Sequence, residues 1–231
     1  MIKKIFVIFT ISVSIGFSAS IFAQDNFHGS LESIPESIKK EMINQTWHQG
    51  CPVPLDKMSY LTLSYWGFDH KTHEGHLVVL NQLAGETLQI FRELYQMKYP
   101  IEKMVLPDIY KSKDDWKSSE NNNTYAFFCR KDEQNPDKFS PHSYGIAIDI
   151  NPLYNPAVVA NGKIQPEAGR KYLDRKIRHE SMINEAMVRV FARYGWKWGG
   201  YWSPNNVDYM HFQKDIDEHY ICNSFEFFPK R

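Results

Sequence analysis

The chain has 231 residues, 42% hydrophobic and 15% aromatic, enough for one domain with its own core and too aromatic for a disordered segment. Its 27 basic residues balance 27 acidic ones with no long run of either sign, which excludes affinity gained by neutralising nucleic-acid phosphates or an anionic membrane face. Three cysteines in a chain of this length exclude a small disulfide-stapled scaffold.

The amino terminus differs in kind from the rest. Lys3 and Lys4 precede an uncharged stretch from Ile5 to about Ala19, then Ile21-Phe22-Ala23 and Gln24-Asp25. A basic start, an apolar stretch and a small-residue cleavage site form a secretory signal, residues 1–23, cut after Ala23. The alternative is an uncleaved anchor, since the stretch nears the roughly 20 apolar residues of a spanning helix. Cleavage leaves residues 24–231 with 25 basic and 27 acidic residues, a net charge of −2, exported to the periplasm, the exterior or the cell wall, without stable membrane insertion. Export lets Cys51, Cys129 and Cys222 form one bridge. Cys51 with Cys129 is favoured, because both sit in structured-looking sequence while Cys222 lies near the end.

Residues 25–57 read as an irregular lead-in with a short helical piece at 35–43. Alternation predicts a strand over 58–65, a turn at 69–75 and a second strand over 77–80. Leu83, Thr87, Ile90, Phe91 and Leu94 recur at helical spacing, predicting a helix over 83–97 that Pro100 stops. A strand is expected over 101–106, a polar loop over 111–123, a turn and strand within 139–150, and a long loop over 151–170. Ile183, Met187, Val190 and Tyr194 predict a second amphipathic helix ending at Gly195, and 196–202 with 209–213 complete the sheet. Two helices among short strands, without a regular βαβ rhythm, indicate a single α+β domain with a mainly antiparallel sheet flanked by helices.

Ser140-Pro141-His142-Ser143-Tyr144-Gly145-Ile146-Ala147-Ile148-Asp149 carries the clearest chemistry. Gly145 permits a tight turn after His142. The following alternation puts Ile146, Ile148 and Ile150 on one face and Ala147 and Asp149 on the other. A carboxylate on so apolar a strand must be solvated, paired or metal-bound. A second acid and histidine, Asp208 and His211, arrive after the Trp196–Trp202 cluster. Two histidines and a carboxylate with a fourth position for water match a catalytic zinc site. On spacing alone, the rival reading is a core histidine and a turn aspartate. His70, His73 and His76 read as solvent-exposed turn residues, and His73-Glu74-Gly75-His76 is one residue too short for a helical zinc-peptidase motif.

The two stretches resemble the paired motifs of the D-alanyl-D-alanine carboxypeptidase-like zinc peptidases, relatives of L-alanyl-D-glutamate endopeptidases and of the Hedgehog zinc domain. Ser140, His142, Gly145, Ala147 and Asp149 match Ser-x-His-x-x-Gly-x-Ala-x-Asp, and Asp208 and His211 match Asp-x-x-His. The likeness extends over about 47–213, through Gly50-Cys51-Pro52, the run from Asn123 to Arg130, Asn151-Pro152 with Asn155-Pro156, and Gly195 to Gly200. It implies a Hedgehog-like fold, zinc held by His142, Asp149 and His211, Asp208 as the base that deprotonates the metal-bound water, and Arg130 as the group that stabilises the charge developing on the substrate carbonyl. Ser140, Trp198 and Trp202 are candidate substrate contacts, with turn capping for Ser140 and core packing for the tryptophans as alternatives. The expected function is an exported monomeric zinc metallopeptidase cutting peptidoglycan stem peptides, as a D-alanyl-D-alanine carboxypeptidase or an L-alanyl-D-glutamate endopeptidase. The alternative is a catalytically inactive zinc-containing cell-wall binding module of the same fold.

Overall fold

The computed structural model describes residues 26–159 and 162–216. The proposed signal and Cys222 lie outside these residues. No helix among the described residues is long and apolar enough to cross a membrane.

Helix and sheet are mixed, and the sheet falls into three pieces where the sequence suggested one. The largest is four-stranded: β1 (Gly29–Ser33), β2 (Met58–Gly67) and β3 (Thr72–Leu80) run antiparallel, and β4 (Pro100–Ile101) pairs with β2 in parallel. β1 was expected to be irregular. Every one of its residues is exposed, so it has no apolar alternation to read and joins the sheet through backbone pairing with β2. β3 begins at Thr72, inside the stretch expected to be a turn, because its first three residues are polar and exposed. His76 there stacks on Tyr60 and meets Thr62 Oγ1, and His73 meets Asp69, so neither needs a metal. The expected strand over 101–106 shrinks to the two residues of β4.

Helix α1 (Glu36–Met42) and helix α2 (Ala84–Gln96) lie where the periodicity placed them. α2 buries Ile90, Phe91 and Leu94 in a continuous core with Leu61, Leu63, Leu77 and Val79 of the large sheet. Each such fully buried side chain stabilises the fold by roughly 1.5–3 kcal/mol. The polar segment 111–123 contains a third helix, α3 (Trp116–Glu120), too short for a period to show.

The second sheet is antiparallel and three-stranded, in the order β5 (Ala147–Asp149), β9 (His211–Lys214), β8 (Trp196–Trp198). Helix α4 (Glu185–Arg193), capped by Asn184 Oδ1 on the amides of Ala186 and Met187, packs against it. Phe191 stacks on Phe212 with ring centroids 3.8 Å apart. Glu86 of α2 accepts from Trp196 Nε1 at 2.7 Å and Lys214 Nζ at 2.9 Å, joining the large sheet's helix to the smaller sheet. The long loop expected over 151–170 instead forms a hairpin of β6 (Ala157–Val158) and β7 (Ile164–Gln165), then a 3-10 turn over Glu167–Leu173. Asn151 and Asn155 fix its entry. Asn155 Oδ1 accepts from Ile183 N at 2.7 Å, and Asn151 Nδ2 donates to Pro100 O at 2.8 Å, so both buried amides replace missing strand partners.

Cys51 and Cys129 form a disulfide with Cα atoms 6.0 Å apart. Beside it, Cys129 N donates to Thr46 O, tying the lead-in to the segment that ends in Arg130.

Candidate metal centre and cleft

His142 lies in a 3-10 turn, Pro141–Tyr144, whose start is capped by Ser140 Oγ accepting from His142 N at 3.4 Å. Gly145 closes the turn at φ 67°, and a Cβ there would stand 2.7 Å from Leu80 N, so the position needs glycine both for conformation and for room. The chain then enters β5. Asp149 pairs with His211 across β5 and β9, and its backbone also bonds that of Tyr125 on the other side. Cross-strand neighbours on one face have close side chains, which is how two motifs 62 residues apart meet.

Asp149 Oδ1 lies 3.0 Å from His211 Nδ1 and 3.3 Å from His142 Nε2. All three residues are buried, at 4%, 5% and 1% exposure respectively. The far nitrogens of both rings are held by oxygen acceptors: His142 Nδ1 by Ala126 O at 2.6 Å, and His211 Nε2 by Gln213 Oε1 at 3.0 Å. A carbonyl oxygen can only accept, so the outer nitrogens carry protons, and the inner ones, His142 Nε2 and His211 Nδ1, are the pair that face Asp149.

Two imidazole nitrogens and one carboxylate oxygen form a zinc-type donor set. Ligands held at about 2.0–2.1 Å around a tetrahedral ion stand about 3.3 Å apart, so the observed spacings fit one. Three protein donors, and no fourth among the described residues, match the open catalytic pattern and not the closed structural one. His48 lies near Cys51 and Cys129, but both sulfurs there are committed to the disulfide.

A cleft opens over this group. Asp208, Arg130, Ser140 and Trp202 line it. Asp208 is held by Gly199: a Cβ at that glycine would meet Asp208 O at 2.5 Å, and Asp208 N donates to Gly199 O at 3.1 Å. This close backbone approach lets a short aspartate reach the cleft. Its Oδ1 is buried without a hydrogen-bond partner. Burial pushes the Asp208 carboxyl up to about 7, against the pull of His211. Burial also acts on Asp149, but the charges and hydrogen bonds of His142 and His211 outweigh it and hold the carboxyl well below the usual range. Burial alone would lower His211, and its bond to Asp149 lifts it to about 9.

Asp115 carries no signal in the sequence, because it precedes a five-residue helix in a polar stretch. Its Oδ2 accepts from Arg130 Nε at 2.6 Å and from Tyr125 Oη at 2.6 Å. Arg130 Nη1 donates to Lys131 O, and among the described residues Nη2 has no acceptor. Burial would lower the guanidinium, but Asp115 more than offsets it, so Arg130 stays charged.

Trp202 sits 5.4 Å from His211 by ring centroids. Trp198 takes the packing alternative. Its indole donates to Tyr209 O at 2.8 Å, packs against Phe212 and Tyr201, and lines a separate hollow with Arg178 and Asn184 instead of the cleft.

The sequence model of a family described as D-alanyl-D-alanine carboxypeptidase matches residues 134–214, 81 of the 231 residues. The matched segment contains His142, Asp149, Asp208 and His211, supports a metallopeptidase and suggests a peptide substrate. No curated protein and no solved structure matches the chain.

Proposed function

We propose, from the match of residues 134–214 to that carboxypeptidase family and from the donor group beneath the cleft, that this chain is an exported zinc metallopeptidase hydrolysing peptide bonds in peptidoglycan stem peptides. In this reading residues 1–23 are a cleaved signal, residues 24–231 form one monomeric domain with a Hedgehog-like fold, and the protein works in the periplasm or at the wall. The observation that carries it is the buried, unpartnered Asp208 Oδ1 in the same cleft as His142, Asp149 and His211. A structural metal site has no use for such a group.

His142 Nε2, Asp149 Oδ1 and His211 Nδ1 would hold the zinc. Zinc, when bound, supplies Lewis acidity that polarises the scissile carbonyl and lets water attack near neutral pH. Asp208 takes the proton of the attacking water on its free oxygen and delivers it to the leaving nitrogen. Burial raises the proton affinity of that carboxyl, which suits both halves of the transfer. Arg130 Nη2, aimed by the Asp115 anchor on Nε, faces the oxygen on which negative charge develops, where a fixed cation lowers the barrier by a few kcal/mol. Trp202 walls the cleft and limits water.

The test separates holding the metal from turning over. His142→Ala should lose zinc by metal analysis. Asp208→Asn should keep zinc and lose at least 100-fold in peptide release from purified sacculi, followed by mass spectrometry. Wild-type release rates in Asp208→Asn would refute the mechanism. Zinc bound by the wild type without any released peptide would instead support a binding module.

A further inference from the structure

The hairpin of β6 and β7 carries a polar group that the chemistry above leaves unused. Gln165, on β7, is 5% exposed, and its Nε2 is buried with no hydrogen-bond partner while its side chain lines the same cleft as Asp208. A buried amide kept unpaired is unfavourable unless a ligand supplies its partner.

Its position says which part of a ligand that is. Ala157 of β6 lies opposite Gln165 on one side and forms a bridge to Asp208 on the other. Residues directly opposite on neighbouring strands project to one face, and all three line the cleft. Strands are spaced about 4.8 Å apart, so the backbones of Asp208 and Gln165 stand about 10 Å apart. The residue in register between them is Ala157, whose side chain is a single methyl group. This gap adjoins the carboxylate that protonates the leaving nitrogen, so it receives the leaving residue. One residue advances the chain by about 3.3–3.6 Å, and a hydrogen bond of about 2.9 Å at each end, to Asp208 and to Gln165, brings the span to about 9 Å. The carboxyl group of a single leaving residue therefore arrives at the Gln165 amide, whereas a longer leaving peptide runs into β7.

Resting on the peptidase reading, we propose that Gln165 determines specificity by donating a hydrogen bond from Nε2 to the free terminal carboxylate of the leaving residue, which makes the chain a carboxypeptidase and not an endopeptidase. Loss of a hydrogen bond to a charged acceptor corresponds to roughly 10- to 100-fold.

The test uses the zinc-loaded protein and three peptides: one ending in a free D-alanine carboxylate, its C-terminal amide, and one extended by two residues beyond the scissile bond. Gln165→Leu should raise KM for the free acid by about 10- to 100-fold with kcat within about twofold, and Gln165→Glu should raise it further by repelling the carboxylate. Gln165→Leu should cost less on the amide than on the free acid, because a hydrogen bond to a neutral acceptor contributes less than one to a carboxylate. Its zinc content should equal the wild type's, and its melting temperature should be equal or higher, because an unpaired polar group has been replaced by an apolar one of similar shape. A purely structural Gln165 would instead lower the melting temperature and leave KM unmoved, which overturns the proposal. So does equal wild-type cleavage of the extended peptide. If the wild type releases nothing from any peptide, the peptidase reading fails and takes this proposal with it. Normal wild-type turnover with an unaffected Gln165→Leu sinks this proposal alone.

Discussion

Asp149 is buried and Asp208 half-buried with one oxygen shut off from solvent; both lie beside the same two histidines, yet their surroundings drive them in opposite directions. Asp149 accepts from both rings and is held ionised, while Asp208 has an oxygen with no donor and is pushed up to about 7 by burial. In the metal-free protein these shifts become a pH dependence of stability. Asp208 has a folded pKa above its ordinary 3.8, so its cost is absent below about pH 4 and grows as pH rises to about 7. His211 has a folded pKa of about 9 against 6.5, so its contribution is complete below 6.5 and disappears by about pH 9. Asp149 is depressed, so its contribution is present above about pH 4 and lost in stronger acid. From these three groups, metal-free stability peaks near pH 4 and declines to pH 9. Melting curves of chelator-treated protein should show Asp208→Asn gaining over the wild type between pH 4 and 7. A gain that does not change with pH would contradict the assignment.

At the scale of elements, the two smaller sheets and the segments between them build the cleft. β5, the turn before it and β9 bring His142, Asp149 and His211 together, the β6–β7 hairpin forms one wall, and Asp115, at the start of α3, holds Arg130 from another. Asp115→Asn keeps an acceptor for Tyr125 but removes the charge that anchors the guanidinium. Steady-state kinetics should show kcat falling about 10-fold with KM and zinc content little changed, and an unchanged kcat would show that Arg130 needs no such anchor. The convergence of His142, Asp149 and His211 beside Asp208 was legible through the likeness of the two motifs to a family pattern, since spacing alone left a core histidine and a turn aspartate open. α2 and α4 were legible because their apolar residues recur over nine residues or more. Asp115, Gln165 and β1 were not, because a five-residue helix, a two-residue strand and a fully exposed strand have no period to detect. For Trp198 the sequence left cleft and packing both open, and its hydrogen bond to Tyr209 O with its packing on Phe212 gives the second.

Across the whole molecule, the Cys51–Cys129 bridge links residues 78 apart and joins the lead-in to the segment beside β5. Closing a loop of that length stabilises by on the order of 4 kcal/mol, chiefly by restricting the unfolded chain. The Cys51→Ser/Cys129→Ser double variant should unfold at clearly lower urea with its zinc content intact when folded, and an unchanged midpoint would contradict this. The residues assigned to metal, proton transfer and substrate all fall between Asp115 and His211, outside the β2–β3 pair and α2. The family match likewise covers only 134–214. The molecule thus separates two quantities that are easily confused in a cell. A substitution in β2, β3 or α2 changes how many folded copies exist, with each surviving copy working at the normal rate. A substitution on the cleft walls acts chiefly on what each copy does. Measured activity in an extract is the product of the two, and the position of a substitution in this fold tells in advance which factor it alters.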